Sequence, residues 1–183
     1  INLKHESEKI NERLQKEQSE TVPASTNKEA AAKLTDAGFV HLHNHSQFSI
    51  LQSTISIKDL VSAAAKENMP AVALTDHGNM MGAFHFVSAI SSYNKSVKAQ
   101  HAGAEENDIE KKRREIKPII GCEFFVCENH TDKTRKDNGY QVVMLAKNKN
   151  GYHNLAKMSS RAYTNGFYYV PRIDREVIKQ YKE

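Results

Sequence analysis

The apolar positions of this chain are sparse and aperiodic for 38 residues, then become regular. Within residues 1–20, Ile10 and Leu14 are the only apolar pair at helical spacing, too little surface to hold so charged a segment in place. Thr21 to Asn27 reads as a flexible link, and Lys28 to Thr35 as a short Ala-rich helix running into Asp36-Ala37-Gly38. Residues 1–38 are therefore expected to be an interdomain linker, with the globular domain starting at Phe39. From there Phe39-Val40-His41-Leu42-His43-Asn44-His45-Ser46 reads as a short strand, followed by a loop from Gln47 to Ser56. Ile57, Leu60, Val61, Ala64 and Ala65 repeat at the spacing of an amphipathic helix, which Asn68-Met69-Pro70 ends. Ala71 to Thr75 is an apolar strand with Asp76-His77-Gly78 just past it, and Ala83, Phe84, Val87 and Ile90 mark a second helix. Strand and helix alternate, the pattern of a parallel α/β sheet or barrel.

Residues 91–116 break this rhythm with mixed charge, few apolar groups and the run Lys111-Lys112-Arg113-Arg114, and read as a surface insertion. Ile119 to Val126 is a third strand and Val142 to Ala146 a fourth, followed by a helix from about Gly151 to Tyr163. Phe167 to Ile173 is extended, its aromatic side chains expected in the core, and Asp174 is placed to cap a final helix. There are no internal repeats.

The length of 183 residues allows one ordinary domain plus a tail, and 39% hydrophobic with 26% charged residues describes a soluble globular protein. No apolar run approaches the roughly 20 residues of a membrane span, so no membrane partner is expected. The first residues lack the charged-then-apolar pattern of a signal peptide, and the absence of an initiating Met suggests a cut-out fragment. Cys122 and Cys127 have neither CxxC spacing nor the density of a disulfide scaffold, which points to a reduced, cytoplasmic setting. The net charge of +4 is unevenly placed: residues 131–183 carry eleven Lys/Arg against five Asp/Glu. That surplus permits contact with a polyanion and reads first as a solvated basic surface.

The chemistry-bearing residues fall in three places. In a strand His41, His43 and His45 share one face, and a row of neutral imidazoles aimed at one point suits a transition metal. Asp76 and His77 form the second group. Glu123 is the third, interrupting an apolar run, which is costly unless the carboxylate is paired or metal-bound. All three groups lie at or near the C-terminal ends of successive predicted strands, where parallel α/β barrels assemble their active sites. Such a set suits two or three divalent ions of the Zn/Mn/Fe type and, with them, phosphoester hydrolysis. His85 and His153 are expected to be packed or solvated on helices, and His5, His101 and His130 to lie in polar segments.

The stretches His41-Leu42-His43-Asn44-His45-Ser46-Gln47-Phe48-Ser49, Ala73-Leu74-Thr75-Asp76-His77-Gly78-Asn79 and Lys117-Pro118-Ile119-Ile120-Gly121-Cys122-Glu123 resemble the polymerase-and-histidinol-phosphatase (PHP) domain. More narrowly, they look like its version at the front of bacterial replicative DNA polymerase III alpha subunits. Lys147 to Leu155 and Gly166 to Asp174 extend the likeness, which covers Phe39 to the C-terminus. The resemblance implies an α/β fold, part of a distorted seven-stranded β/α (TIM-like) barrel whose C-terminal strands are missing from this chain. It implies His43, His45, His77 and Glu123 as ligands of a divalent metal, Zn or Mn, with His41 and Asp76 supporting them and no residue singled out as catalytic. Leu51 and Gln52 stand where full sites carry Asp or His, and Gln141 where a histidine is usual; the closing Asp-x-His lies beyond Glu183. These departures favour a partly eroded site in a structural, partner-docking module. The alternative is a metal-dependent 3′–5′ exonuclease or phosphoesterase, serving proofreading or pyrophosphate hydrolysis. The implied parent performs templated DNA synthesis with Mg in a separate polymerase domain. Its expected partners are DNA primer-template, other replisome subunits and a proofreading exonuclease; the fragment alone is expected to be inactive.

Overall fold

The computed structural model describes residues 38–102 and 114–182. The expected linker, apart from Gly38, and the Lys111-Lys112-Arg113 part of the basic run lie outside the described residues. The first regular element is α1, Ile57–Lys66, capped by the Ser56 side chain, which accepts from the Asp59 amide. Ile57, Leu60, Val61 and Ala64 are its buried face, as the spacing predicts, and Asn68 at φ 49 turns the chain out of the helix. Strand β1, Ala71–Leu74, is buried at every position. Helix α2, Ala83–Ala102, is followed by β2, Lys117–Cys127, and β3, Tyr140–Leu145. Then come α3, Lys149–Thr164, the short strand β4, Arg172–Asp174, and α4, Arg175–Tyr181.

The long strand β2 organises the sheet. Its first residues pair in parallel with β1, Ala71 opposite Lys117 and Leu74 opposite Ile120. From Gly121 onward it pairs antiparallel with β3, and its end pairs in parallel with β4. Gly121 sits at the changeover, where a Cβ would lie 2.6 Å from the Met144 carbonyl oxygen, so the two backbones can approach only around glycine. The sheet is therefore mixed, and the expectation of an all-parallel arrangement fails at β3. The loop from β2 to β3 carries no helix, and two strands joined that directly run antiparallel. Two buried clusters flank the sheet. One joins α1 and α2 to Val72, Leu74 and Ile116; the other joins α3 and α4 to Cys122, Phe124 and Ile173.

Four further expectations need correction. Residues 39–46 do not form a strand: only an isolated bridge, His41 to Val72, links them in ladder fashion to β1. Asn44 ends the pairing by spending its side-chain amide on the Ala73 carbonyl, while Thr75 Oγ1 takes the Asn44 amide. Residues 91–102 belong to α2 and are not an insertion. The helix continues because Val97 is fully buried and Asn94 clasps both backbone groups of Ile116. The α2 core face is Ala83, Phe86, Ile90 and Val97, leaving Phe84 78% exposed and Val87 outward as well. The Phe167–Val170 run folds as a tight turn, with Tyr168 bridging Val170 and Tyr169 at φ 64. Phe167 and Tyr169 are thereby exposed rather than in the core.

Candidate metal centre

The site forms where the line of β1 runs on past its end. Asp76 and His77 follow Leu74 and keep contact with β2: the Glu123 amide donates to Asp76 O, and the Gly78 amide donates to Glu123 O. Gly78, at φ 64 and against Pro171, allows the chain to turn away immediately after His77. Glu123 thus stands in the middle of β2, not at its C-terminal end as the sequence suggests. Its side chain leaves β2 on the face opposite Cys122 and Phe124, which pack in the core.

Three imidazoles converge on one oxygen of that carboxylate. Glu123 Oε2 lies 2.6 Å from His45 Nε2, 3.0 Å from His43 Nε2 and 3.4 Å from His77 Nε2. The two nearer nitrogens are 3.2 Å apart. Among the described residues, His43, His45 and Glu123 form the one group whose ligand atoms all fall within 4.8 Å of each other. His77 stands just behind them, its ring stacked on Phe125 at 5.0 Å and edge-on to His45 at 4.7 Å. Its Nε2 also meets the Gln141 side-chain amide nitrogen at 3.1 Å, and its Nδ1 is buried without a partner.

The supporting residues divide differently from expectation. His41 takes no part: it is exposed, and its ring packs edge-on against Phe39. Asp76 holds the loop that carries the histidines. It is buried and accepts from the Ser46 amide and from the hydroxyls of Ser46 and Ser49. Ser49 Oγ in turn accepts the His77 amide. Leu51 is fully exposed, and Gln52 is also outside the cluster. The resemblance already marks position 141, where Gln141 replaces a usual histidine, but its contact with His77 follows only from the antiparallel register that places it opposite Phe125.

The electrostatics suit a cation. Burial works to raise the Glu123 carboxyl, but hydrogen bonds from His43 and His45, with the His77 ring nearby, outweigh it and leave the group below its ordinary value. Burial lowers His77, more than the neighbouring Glu123 raises it, which favours the neutral imidazole that metal coordination requires. Two imidazole nitrogens and a buried carboxylate oxygen form a mixed N/O donor set that fits an ion of the Zn or Mn kind.

No helix of the described residues is long and apolar enough to cross a membrane. The model of the PHP domain matches residues 41–183. The chain is 42% identical over 149 residues to a DNA polymerase III subunit alpha of Chlamydia muridarum (strain MoPn / Nigg), a match covering 79% of this chain and 10% of that protein. Proteins of the same name match from Deinococcus radiodurans, at 37% over 154 residues, and Thermus aquaticus, at 39% over 153. These matches cover 78% and 79% of this chain, and 10% and 11% of the relatives. The chain spans about a tenth of the length of the curated relatives it matches. With the histidine-carboxylate cluster inside the matched region, the chain belongs to the PHP domain family.

Proposed function

We propose that this chain is the PHP-domain part of a DNA polymerase III alpha subunit, and that its metal site serves structure and partner docking rather than hydrolysis. The parent subunit, in this reading, is a cytoplasmic replication enzyme that extends a primer on a DNA template with Mg²⁺ held in a separate domain. It works beside other replisome subunits, a proofreading exonuclease among them. The observation that carries the reading is the small donor set: His43, His45 and Glu123 converge, while His77 meets Gln141. Those three residues would hold one Zn²⁺ or Mn²⁺, with His77 and Asp76 shaping the pocket behind them. A bound divalent ion supplies Lewis acidity and, with a second ion beside it, a clamp for in-line phosphoryl displacement. What the residues themselves do is narrower. Asp76 fixes the loop, Phe125 orients His77, and Glu123 balances the charge of the cluster. One metal held by three protein groups ties residues 43–45 to β2 and so braces the sheet.

The test is metal analysis of the polymerase subunit carrying this chain, with a Mn²⁺-dependent 3′–5′ exonuclease assay, for wild type and His43→Ala. The expected result is loss of bound metal and of thermal stability in the variant, with no exonuclease activity in either protein. Mn²⁺-dependent hydrolysis in wild type that disappears in His43→Ala would replace this reading with the enzymatic one.

A further inference from the structure

We propose that Gln141 withdraws His77 from metal binding, so that this residue sets the site's ligand set at His43, His45 and Glu123. The inference rests on the metal reading above and deepens it. An imidazole nitrogen has one in-plane position, holding either a lone pair or a proton, and a metal needs that position. At His77 Nε2 the position faces the Gln141 amide at 3.1 Å, with Glu123 Oε2 farther off at 3.4 Å. The amide nitrogen has only protons to offer, so it occupies the lone pair. Turned over, the amide would present its oxygen to an Nε2–H, and the same position would be filled.

His77 has no second way to reach the cluster. Its Nδ1 is buried and unpartnered, and Phe125 on one side with His45 on another holds the ring's orientation. The register makes the contact systematic. Phe125 lies opposite Gln141 and Glu123 opposite Val143, so Glu123, Phe125 and Gln141 share one sheet face. Any long side chain at position 141 is delivered to the ring of His77. A hydrogen-bonding one competes with the metal, and an apolar one of equal length leaves the nitrogen free.

Gln141 is exposed, so the competing bond is of ordinary strength, and its removal is worth about fivefold in affinity. The test uses Gln141→Met, which keeps the length and drops the amide, in a cycle with His77→Ala. Zn²⁺ affinity is read by calorimetry, Co²⁺ binding by its visible spectrum, and the His77 ring nitrogens by ¹⁵N NMR in metal-free protein. In wild type, His77→Ala is expected to change Zn²⁺ affinity by less than about twofold, because His77 is not a ligand. Gln141→Met is expected to raise affinity about fivefold, to move the His77 Nε2 resonance, and to lose the gain when His77→Ala is added. Equal cost of His77→Ala with and without Gln141→Met overturns the inference, as do unchanged ring nitrogens and unchanged affinity in Gln141→Met. If wild type binds Zn²⁺ and loses it in His43→Ala while Gln141→Met changes nothing, the present inference alone fails. If neither wild type nor Gln141→Met takes up Zn²⁺, the metal reading fails and this one with it.

Discussion

Asp76 neighbours a histidine of the candidate cluster but faces away from it into a buried loop, and its value lies in what it holds. A buried carboxylate accepting one amide and two hydroxyls joins residues 46–49 to the end of β1. Replacing it with Ala leaves the Ser46 amide and both hydroxyls without their acceptor in a dry place. Hydrogen bonds to a charged group are each worth more than neutral ones, so Asp76→Ala should cost about 3 kcal/mol or more. Urea unfolding of wild type and variant measures this directly. A cost below about 1 kcal/mol, within the range of ordinary surface changes, would mean the loop is held by something else. Asp76 lies beside the cluster and holds the loop that carries it, whereas His41 is exposed and packs against Phe39.

At the level of elements, the junction of β4 and α4 shows how polar residues fasten a loop. Among the described residues Arg172 is fully buried and makes no ion pair; its guanidinium donates to the carbonyls of Gly166, His130, Asp132 and Asp137, strapping residues 130–137 to β4. Two positions on, Asp174 caps α4 by accepting the Glu176 and Val177 amides, and its other oxygen accepts from His130, both backbone and ring. Burial would raise this carboxyl, yet the hydrogen bonds from His130 and Val177 hold it below its ordinary value of 3.8. A carboxyl depressed in the folded state contributes stability that is present above pH 3.8 and lost as pH falls through the lower folded value. Asp174→Ala should therefore cost about 2 kcal/mol at pH 6, from a lost cap and a lost His130 bond. That gap should close as the pH is taken below 3.8. Denaturant midpoints at several pH values report it, and a gap independent of pH would assign the loss to packing instead. His130 lay hidden in a polar segment because its partner is 44 residues away.

At the scale of the whole molecule, the described residues leave the outer edge of β3 open. Among the described residues β3 pairs with β2 alone, and Tyr140, Val142 and Leu145 on it are exposed. An unpaired, apolar edge is a template for a second copy. The chain should therefore self-associate with concentration, and Val142→Lys, which sets like charges across a copy-to-copy pairing, should weaken that by about two- to fivefold. Sedimentation velocity over a concentration series would show the shift. A strictly monomeric wild type at every concentration would mean that the edge is protected by its twist or its neighbours.

What the sequence determined by itself was local. Apolar spacing decided α1, because a helix face is fixed by its own residues. The Ser56 and Asp174 caps were decided by bonds to amides two or three positions on. The His-x-His pair, the Asp76-His77 step and the isolated Glu123 marked the site, since each breaks a local rule that only a cation or a partner repairs. Tertiary structure decided which of them meet. The antiparallel turn of β3 could not be read from apolar runs that look alike in either direction. With it came the position of Gln141, the edge left open and the exposure of the aromatic turn. The face of α2 was equally undecided, because Phe84 and Phe86 offer the same surface and only the sheet beneath selects the second. Long-range register is set by packing between segments far apart in the chain, and no window of neighbouring residues contains it.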